Sequence, residues 1–315
     1  MMLLLTAGLL VGCSRDAEPT MQHEIAVTTG VTGLQKKAPA ISSNTDLQTC
    51  DLRIDAYFHD SETKYLNEAM LVYETDHWRF DNGFGTEVHY YWPIEGSVYT
   101  PAVGDPIIVS SLDFVGYCPY TTPAYITAGP TYNHSTGITF TCDMSSYMTN
   151  TAQSTVTEFM FDTVNNRTAA AGTVPMSFKH PFAIIKFVIT SASGEHVRVD
   201  SVGISGLKTT GTCVFNGSGF TWSSQAGSGD MSLNNVNLKY GTSTTESAPF
   251  LVIPNNYGTK HLTVKATWDD WSDVTVNDYG ADITINWEAG HVYTYNLTLS
   301  KYGLIVDAEK YTEQW

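Results

Sequence analysis

The chain has 315 residues, with 16 Lys and Arg against 32 Asp and Glu, for a formal net charge of −16. So acidic a surface repels phosphate backbones and argues against nucleic acid as a partner. Only 15% of residues are charged while 12% are aromatic, and Ser, Thr, Gly and Tyr abound. That is the profile of a secreted β-rich protein rather than a helical cytosolic enzyme.

The apolar run Leu3–Val11 is far short of the ~20 residues that span a bilayer as a helix. It has the length of a secretory h-region, which is removed rather than folded. Leu10-Val11-Gly12-Cys13 resembles a bacterial lipobox, and polarity changes abruptly at Ser14-Arg15-Asp16. In that reading residues 1–12 are a lipoprotein signal peptide and Cys13 is the acylated N-terminus; the alternative is an ordinary signal peptide containing a Cys. No Lys or Arg precedes the run, as expected if the n-region begins upstream of Met1. About 300 residues then remain, which on a prior of ~150 per domain suggests two domains.

"HEIAVTTGVTGLQKKAPAISS" (23–43) reads as a strand at 24–29, a Gly-bearing loop, and the dibasic pair Lys36-Lys37 ahead of Ala38-Pro39. Pro39 disfavours regular pairing and keeps that site extended. A solvated linker is the plain alternative. "LRIDAYF" (52–58) places Leu52, Ile54, Ala56 and Phe58 on one face of a strand. "DSETKYLNEAMLVYE" (60–74) is ambiguous and admits a short helix. Residues 121–155, rich in Thr, Ser, Tyr and Asn, read as long surface loops with at most short strands. "NNRTAAAGTVP" (165–175) is the best domain boundary, giving an N-terminal domain 13–170 and a C-terminal domain 171–315. "FAIIKFVIT" (182–190), "FLVIP" (250–254), "LTVKATW" (262–268), "ADITINW" (281–287) and "VYTYNLTLS" (292–300) read as strands. Asp81-Asn82-Gly83, Asn216-Gly217, Gly227-Ser228-Gly229 and Asn255-Asn256 are turn signals. Many strands with turns every ten residues or so imply an all-β fold of sandwiches rather than βαβ units.

Catalytic signatures are absent: there is no H-E-x-x-H, P-loop, G-x-S-x-G or EF-hand pattern. No enzyme activity, metal or cofactor is expected. Cys50, Cys118, Cys142 and Cys213 form no C-x-x-C pair. In an oxidising compartment Cys118 and Cys142 can bridge the loop between them; buried free thiols are the alternative. His180 and His291 stand beside strand starts and read as structural histidines rather than metal ligands. Asp269, Asp270 and Asp273 around Trp271 suggest a solvated acidic hairpin, with a hard-cation site as the other reading. Trp268, Trp271 and Tyr279 are candidates for stacking on sugar rings, although sandwich cores claim most such residues.

In order along the chain, several segments resemble the fimbrillins, the pilin subunits of Bacteroidales type V pili. "YYWPIEGSVYTP" (90–101) followed by "LDFVGYCPY" (112–120) is similar to the family's Trp-Pro strand end and the strand after it, with Gly116 and Cys118 as departures. "VPMSFKHPFAIIKFVIT" (174–190) resembles the opening of the family's second domain, and "VDSVGISGLKTTGTCVF" (199–215) its next hairpin. "PFLVIPNN" (249–256) and "INWEAGHVYTYNLTLSKYGLIV" (285–306) carry the most specific pattern, a W-x-x-G-x-x-Y-x-Y-x-L-x-L final strand.

The resemblance implies two β-sandwich domains of transthyretin-like or immunoglobulin-like topology and export as an outer-membrane lipoprotein. It implies assembly with other pilin subunits into a surface fimbrium that serves adhesion. A trypsin-like protease would cut after Lys36 or Lys37, removing the first strand within 21–37, and a neighbour's strand would fill the groove. Arg15 is a fallback site, too near the lipid to free that strand. The tail 302–315 is the donor candidate: Leu304, Val306 and Ala308 alternate, and Tyr311 and Trp315 can anchor further along. The alternative is that this tail completes its own sheet. A competing reading is a non-polymerising surface lipoprotein, or a tip adhesin, that binds glycan or a host or bacterial surface receptor. Thr163 and Ser201 lie in Asp-Thr-Val and Asp-Ser-Val contexts open to an oxygen-linked glycan.

Overall fold

The structure is a computed structural model and describes residues 23–31, 43–192, 197–234, 244–269 and 274–311. In the first part of the chain the elements are β1 (Val27–Val31), α1 (Asn44–Leu47), β2 (Leu52–Phe58), β3 (Lys64–Glu74), β4 (His77–Asp81), β5 (Val98–Tyr99) and β6 (Ile107–Ile108). There follow β7 (Leu112–Cys118), β8 (Ile126–Asn133), β9 (Gly137–Asp143), α2 (Asn150–Gln153), β10 (Met160–Arg167) and β11 (Val174–Phe178). Then come β12 (Ala183–Ser191), β13 (Val197–Leu207), β14 (Thr210–Phe215), β15 (Phe220–Ala226), β16 (Gly229–Asn234) and β17 (Thr244–Glu246). The chain closes with β18 (Phe250–Val252), β19 (Asn255–Asp269), β20 (Val274–Trp287), β21 (Val292–Ser300) and β22 (Gly303–Tyr311). The fold is all-β, as the alternation predicts.

Three apolar cores hold it together. The first lies under a five-stranded sheet of order β10-β7-β2-β3-β4 and is closed by the two-stranded sheet β1-β11. Ile54, Ala56, Phe58, Leu112 and Phe114 point into it. Tyr57, Val115 and Tyr117, from the other face of β2 and β7, enter a second core with Phe140, Phe161 and Phe215. Every residue of β7 is therefore buried. The second core is covered by the sheet β15-β14-β9-β8, and Ile184 and Leu251 also enter it. The third core lies between the sheets β17-β12-β21-β22 and β16-β13-β19-β20. In β12, Ile185, Phe187 and Ile189 face this third core while Ile184 faces the second.

The division at 170/171 does not follow the cores. β11, which that division assigns to the second domain, pairs with β1 and places Val174, Met176 and Phe178 in the first core. β9 pairs with β14, so one sheet takes strands from both sides of the boundary.

Residues 64–74 form a strand, not a helix. The β2–β3 register slips between Ile54↔Ala69 and Ala56↔Leu66, and Glu68 takes a positive φ of 53°. This bulge interrupts the period of two, which is why the sequence looks ambiguous there. Asp55, fully buried, pins it by accepting the Glu68 N–H at 2.6 Å. The same carboxylate pairs with Arg53 at 2.8 Å and Lys64 at 3.1 Å, and only such pairing makes a buried charge tolerable. Likewise, 121–155 holds the hairpin β8–β9, whose register shifts around Gly129-Pro130.

Cys50, Cys118, Cys142 and Cys213 are all free thiols. Of the two readings offered for Cys118 and Cys142, the structure has the buried free thiols, because Cys118 faces the first core and Cys142 the second. Trp268 is no sugar platform. It is 3% exposed in the third core, and its indole N–H donates to the Tyr279 hydroxyl at 2.7 Å. Asp270, Trp271 and Asp273 lie outside the described residues.

Candidate functional site: the seat of the first strand

Residues 23–31 occupy a seat made by two other segments. Residues 27–31 run parallel to β11, from Val27↔Val174 to Val31↔Phe178. Just before them the chain runs antiparallel to 90–92: the Ile25 N–H donates to the Tyr90 carbonyl at 2.7 Å, and the Trp92 N–H to the His23 carbonyl at 2.8 Å. The Val174 N–H donates to the Ala26 carbonyl at 2.8 Å. At the far end the Val31 N–H donates to Asn44 Oδ1 at 2.8 Å.

Alternation decides what this strand contributes. Ile25 and Val27 are buried in the first core, in company with Trp92, Val174 and Met176, and Val31 packs against its margin. Burial of such a side chain contributes about 1.5–3 kcal/mol. Gly116 is part of the seat: a Cβ there would meet Met176 Sδ at 2.5 Å, so glycine lets β11 lie close over β7. Outside, the exposed Glu24 carboxylate accepts from His89 Nδ1–H at 2.6 Å. That bond, with the negative charge behind it, raises the His89 pKa above its ordinary 6.5.

Of the residues singled out from the sequence, Cys13, Lys36, Lys37 and Trp315 lie outside the described residues. Lys36 stands five positions beyond the end of β1. The other donor candidates lie on β22, paired antiparallel to β21 from Val292↔Tyr311 to Ser300↔Gly303. β22 is the last strand of its sheet. Leu304 and Val306 pack at the margin of the third core, and Ile305 between them is 69% exposed. Ala308 and Tyr311 stand opposite Tyr295 and Val292. β22 thus pairs within its own sheet here. Thr163 on β10 and Ser201 on β13 are partly buried mid-strand positions. His180 is a core residue, its Nδ1 2.8 Å from Glu158 Oε1. His291 Nδ1 lies 2.8 Å from the Ala289 carbonyl oxygen. No group of three or more potential metal ligands occurs among the described residues.

The final-strand pattern has a physical reason for each fixed residue. The Trp287 indole N–H donates to the Tyr295 hydroxyl at 3.1 Å, and the Glu288 N–H to the Tyr293 hydroxyl at 2.8 Å. Gly290 turns at a φ of 69° and donates to the Phe182 carbonyl at 2.8 Å. Leu297 and Leu299 are fully buried in the third core. A family model described as fimbrillin-like matches residues 58–315. The chain belongs to the fimbrillin-like family.

The match leaves β1 and the dibasic segment outside its span. Fimbrial and adhesion proteins share this fold. A fimbrial protein from Bacteroides vulgatus ATCC 8482 superposes with a TM-score of 0.58 at 13% identity, covering 92% of this chain and 100% of that one. A candidate cell adhesion protein from Bacteroides ovatus ATCC 8483 gives 0.54 at 17% identity, covering 93% and 97%. Another from Bacteroides uniformis ATCC 8492 gives 0.53 at 16% identity, covering 91% and 97%. No curated protein sequence matches the chain. Membership of the fimbrillin-like family supports a pilus or adhesin role at the cell surface, assembled with other pilin subunits.

Proposed function

We propose that the chain is a structural pilin, exported as a lipoprotein acylated at Cys13 and polymerised by strand exchange at the outer-membrane surface. A trypsin-like protease cuts after Lys36 or Lys37, and the segment bearing β1 leaves. The observation that carries this reading is the seat itself. The segment 23–31 carries β1 of a two-stranded sheet, buries Ile25 and Val27, and precedes the dibasic pair by a short segment.

Departure of β1 uncovers the apolar floor formed with Val174, Met176 and Trp92 and unpairs backbone groups of β11 and 90–92. A buried hydrogen bond left unmade costs ~1–3 kcal/mol, so an incoming extended segment is strongly favoured. β22 of a second copy suits the vacancy. It is a terminal edge strand, bonded to β21 alone within its sheet, with the apolar alternation Leu304, Val306, Ala308. Lipid at Cys13 holds the subunit on the membrane until the cut releases it.

The test is to treat purified full chain with trypsin and follow polymer ladders on gels without boiling. Ladders in the wild type and none in Lys36→Gln/Lys37→Gln support the reading. Ladders in both, or in neither, overturn it.

A further inference from the structure

Beside the first core, and away from the seat of β1, two cysteines from distant parts of the chain meet. Cys50 ends the turn that follows α1, just before β2; Cys118 is the last residue of β7. β2 and β7 are antiparallel neighbours, with Arg53↔Tyr117 in register. The Tyr120 N–H donates to the Asp51 carbonyl at 2.7 Å, so the pairing continues past Cys118 and ends beside Cys50. Both side chains pack in the same apolar cluster, so the two thiols are neighbours there, and the Cys50 S–H also reaches the Asp46 carbonyl at 3.8 Å.

Their surroundings differ. Cys118 is fully buried. Cys50 is half-buried and lines an open cleft of 760 Å³, whose walls include Pro119, Tyr120, Tyr125 and Val156. A reagent in that cleft therefore meets Cys50, while Cys118 is not among the groups that line it.

We propose that Cys50 and Cys118 are a thiol pair built for oxidation to an intramolecular disulfide, with Cys50 attacking and Cys118 resolving. The oxidant is a disulfide-bearing molecule of the oxidising compartment. The Cys50 thiolate attacks one sulfur of that disulfide, breaking its S–S bond and expelling one thiolate, and becomes a mixed disulfide. Cys118 then loses its proton to solvent and attacks Cys50 Sγ, expelling the second thiolate. Two protein thiols are oxidised by two electrons and one external disulfide is reduced to two thiols. The titration of the pair suits these roles. The neighbouring Cys118 thiol is the main cause that lowers the Cys50 pKa to about 7, giving thiolate near neutrality. The same contact and burial push Cys118 up, so it keeps its proton until the mixed disulfide forms.

The bond fastens the α1–β2 junction to the end of β7. α1 also flanks β1, through Asn44 and Val31. The disulfide therefore holds the new N-terminal part of a cleaved chain against the first sheet. The chemistry itself is independent of strand exchange.

The test uses the full chain with Cys13→Ser, so that an unrelated thiol does not compete, reduced and then exposed to oxidised glutathione. Free thiols should fall from four to two, and an unreduced peptide map should show the Cys50 peptide joined to the Cys118 peptide. Cys118→Ala should stop at one glutathione on Cys50. Cys50→Ser, at a half-buried position that tolerates the change, should form neither the adduct nor the bridge, which keeps the test decisive if Cys118→Ala does not fold. A wild type that stops at the glutathione adduct, bridges through Cys142 or Cys213, or stays fully reduced overturns the proposal.

Discussion

The side-chain oxygen of Asn44 accepts the backbone N–H of Val31 at 2.8 Å, so the first residue of α1 holds the last residue of β1. Ser43 caps the same helix by accepting the Asp46 N–H at 3.1 Å, which keeps Asn44 in place. Asn44→Ala removes the contact to β1 and leaves the cap. A typical hydrogen bond contributes about 0.5–1.5 kcal/mol. Amide exchange at Val31 should accelerate about 2–10-fold, while amides of β7 should keep their protection.

Thr29 acts in the opposite direction. Its hydroxyl oxygen is buried on β1 with no hydrogen-bond partner among the described residues. An unpaired buried hydroxyl costs about 1–3 kcal/mol, and Val replaces Thr at nearly the same volume without it. Thr29→Val should raise stability by about 1 kcal/mol in urea unfolding. In the strand-exchange reading it should also slow polymer growth after trypsin, because the leaving strand is better seated.

The Glu24–His89 pair makes the same seat sensitive to pH. The hydrogen bond to Glu24 is the main reason the His89 pKa is raised, with the Glu24 and Glu87 charges adding to it. A raised histidine pKa stabilises the folded state below the unfolded value, near 6.5, provided its carboxylate partner is ionised. That contribution disappears as pH rises through the raised value. Protection of the Ile25 amide should therefore be higher at about pH 6 than at about pH 9, after correction for intrinsic exchange. Glu24→Gln should flatten the difference. The effect is small, because both side chains are about half exposed.

Where one face of a strand meets a core and the other meets solvent, the sequence announces it. β21 and much of β12 alternate cleanly, and the final strand was legible down to its inward Tyr and Leu residues. β3 was not, because the bulge at Glu68 breaks the period in a way that only its tertiary partner Asp55 requires. β7 shows no alternation because both of its faces are covered, and so the direction of Cys118, and with it the thiol it meets, could not be read. The strand at 24–29 was visible by its pattern. Its seat was not: β11 lies some 147 positions away, and a parallel register between such distant segments is set by the core they share. Trp268 sits in the third core, the reading that sandwich packing favours over a sugar platform, but which sheet claims it could not be read from neighbouring acidic residues.

The Trp287–Tyr295 bond gives the family pattern an energetic meaning that a variant can measure. Burial pushes the Tyr295 hydroxyl pKa up to about 12, so it stays protonated at neutral pH and accepts from the indole through its oxygen. Trp287→Phe removes the donor and leaves a cavity beside Tyr257, whose ring meets Trp287 edge-on at 5.3 Å. The loss should be about 2–4 kcal/mol, combining an unmade bond with lost packing. Tyr295→Phe removes only the hydroxyl and should cost about 1 kcal/mol. Urea midpoints for both, with unchanged m-values, check the difference.

The tail sets the sharpest test of strand donation. In the isolated chain β22 satisfies one edge of β21 along a nine-residue register, yet only Leu304 and Val306 among its described side chains pack against the third core. Its backbone pairing is real, and its apolar contribution is marginal. If β22 serves chiefly to fill a neighbour's vacated seat, Val306→Asp should leave a folded monomer and abolish ladders after trypsin. The monomer should lose no more than about 1–2 kcal/mol, since the position is only partly buried. In the seat the same carboxylate would enter the space that Ile25 or Val27 leaves in the first core, where an unpaired charge costs several kcal/mol. Deleting 303–315 should act alike: the N-terminal cut still occurs, and no polymer forms. A truncation that unfolds the third core makes β22 intrinsic structure, and a Val306→Asp chain that still forms ladders removes this strand as the donor.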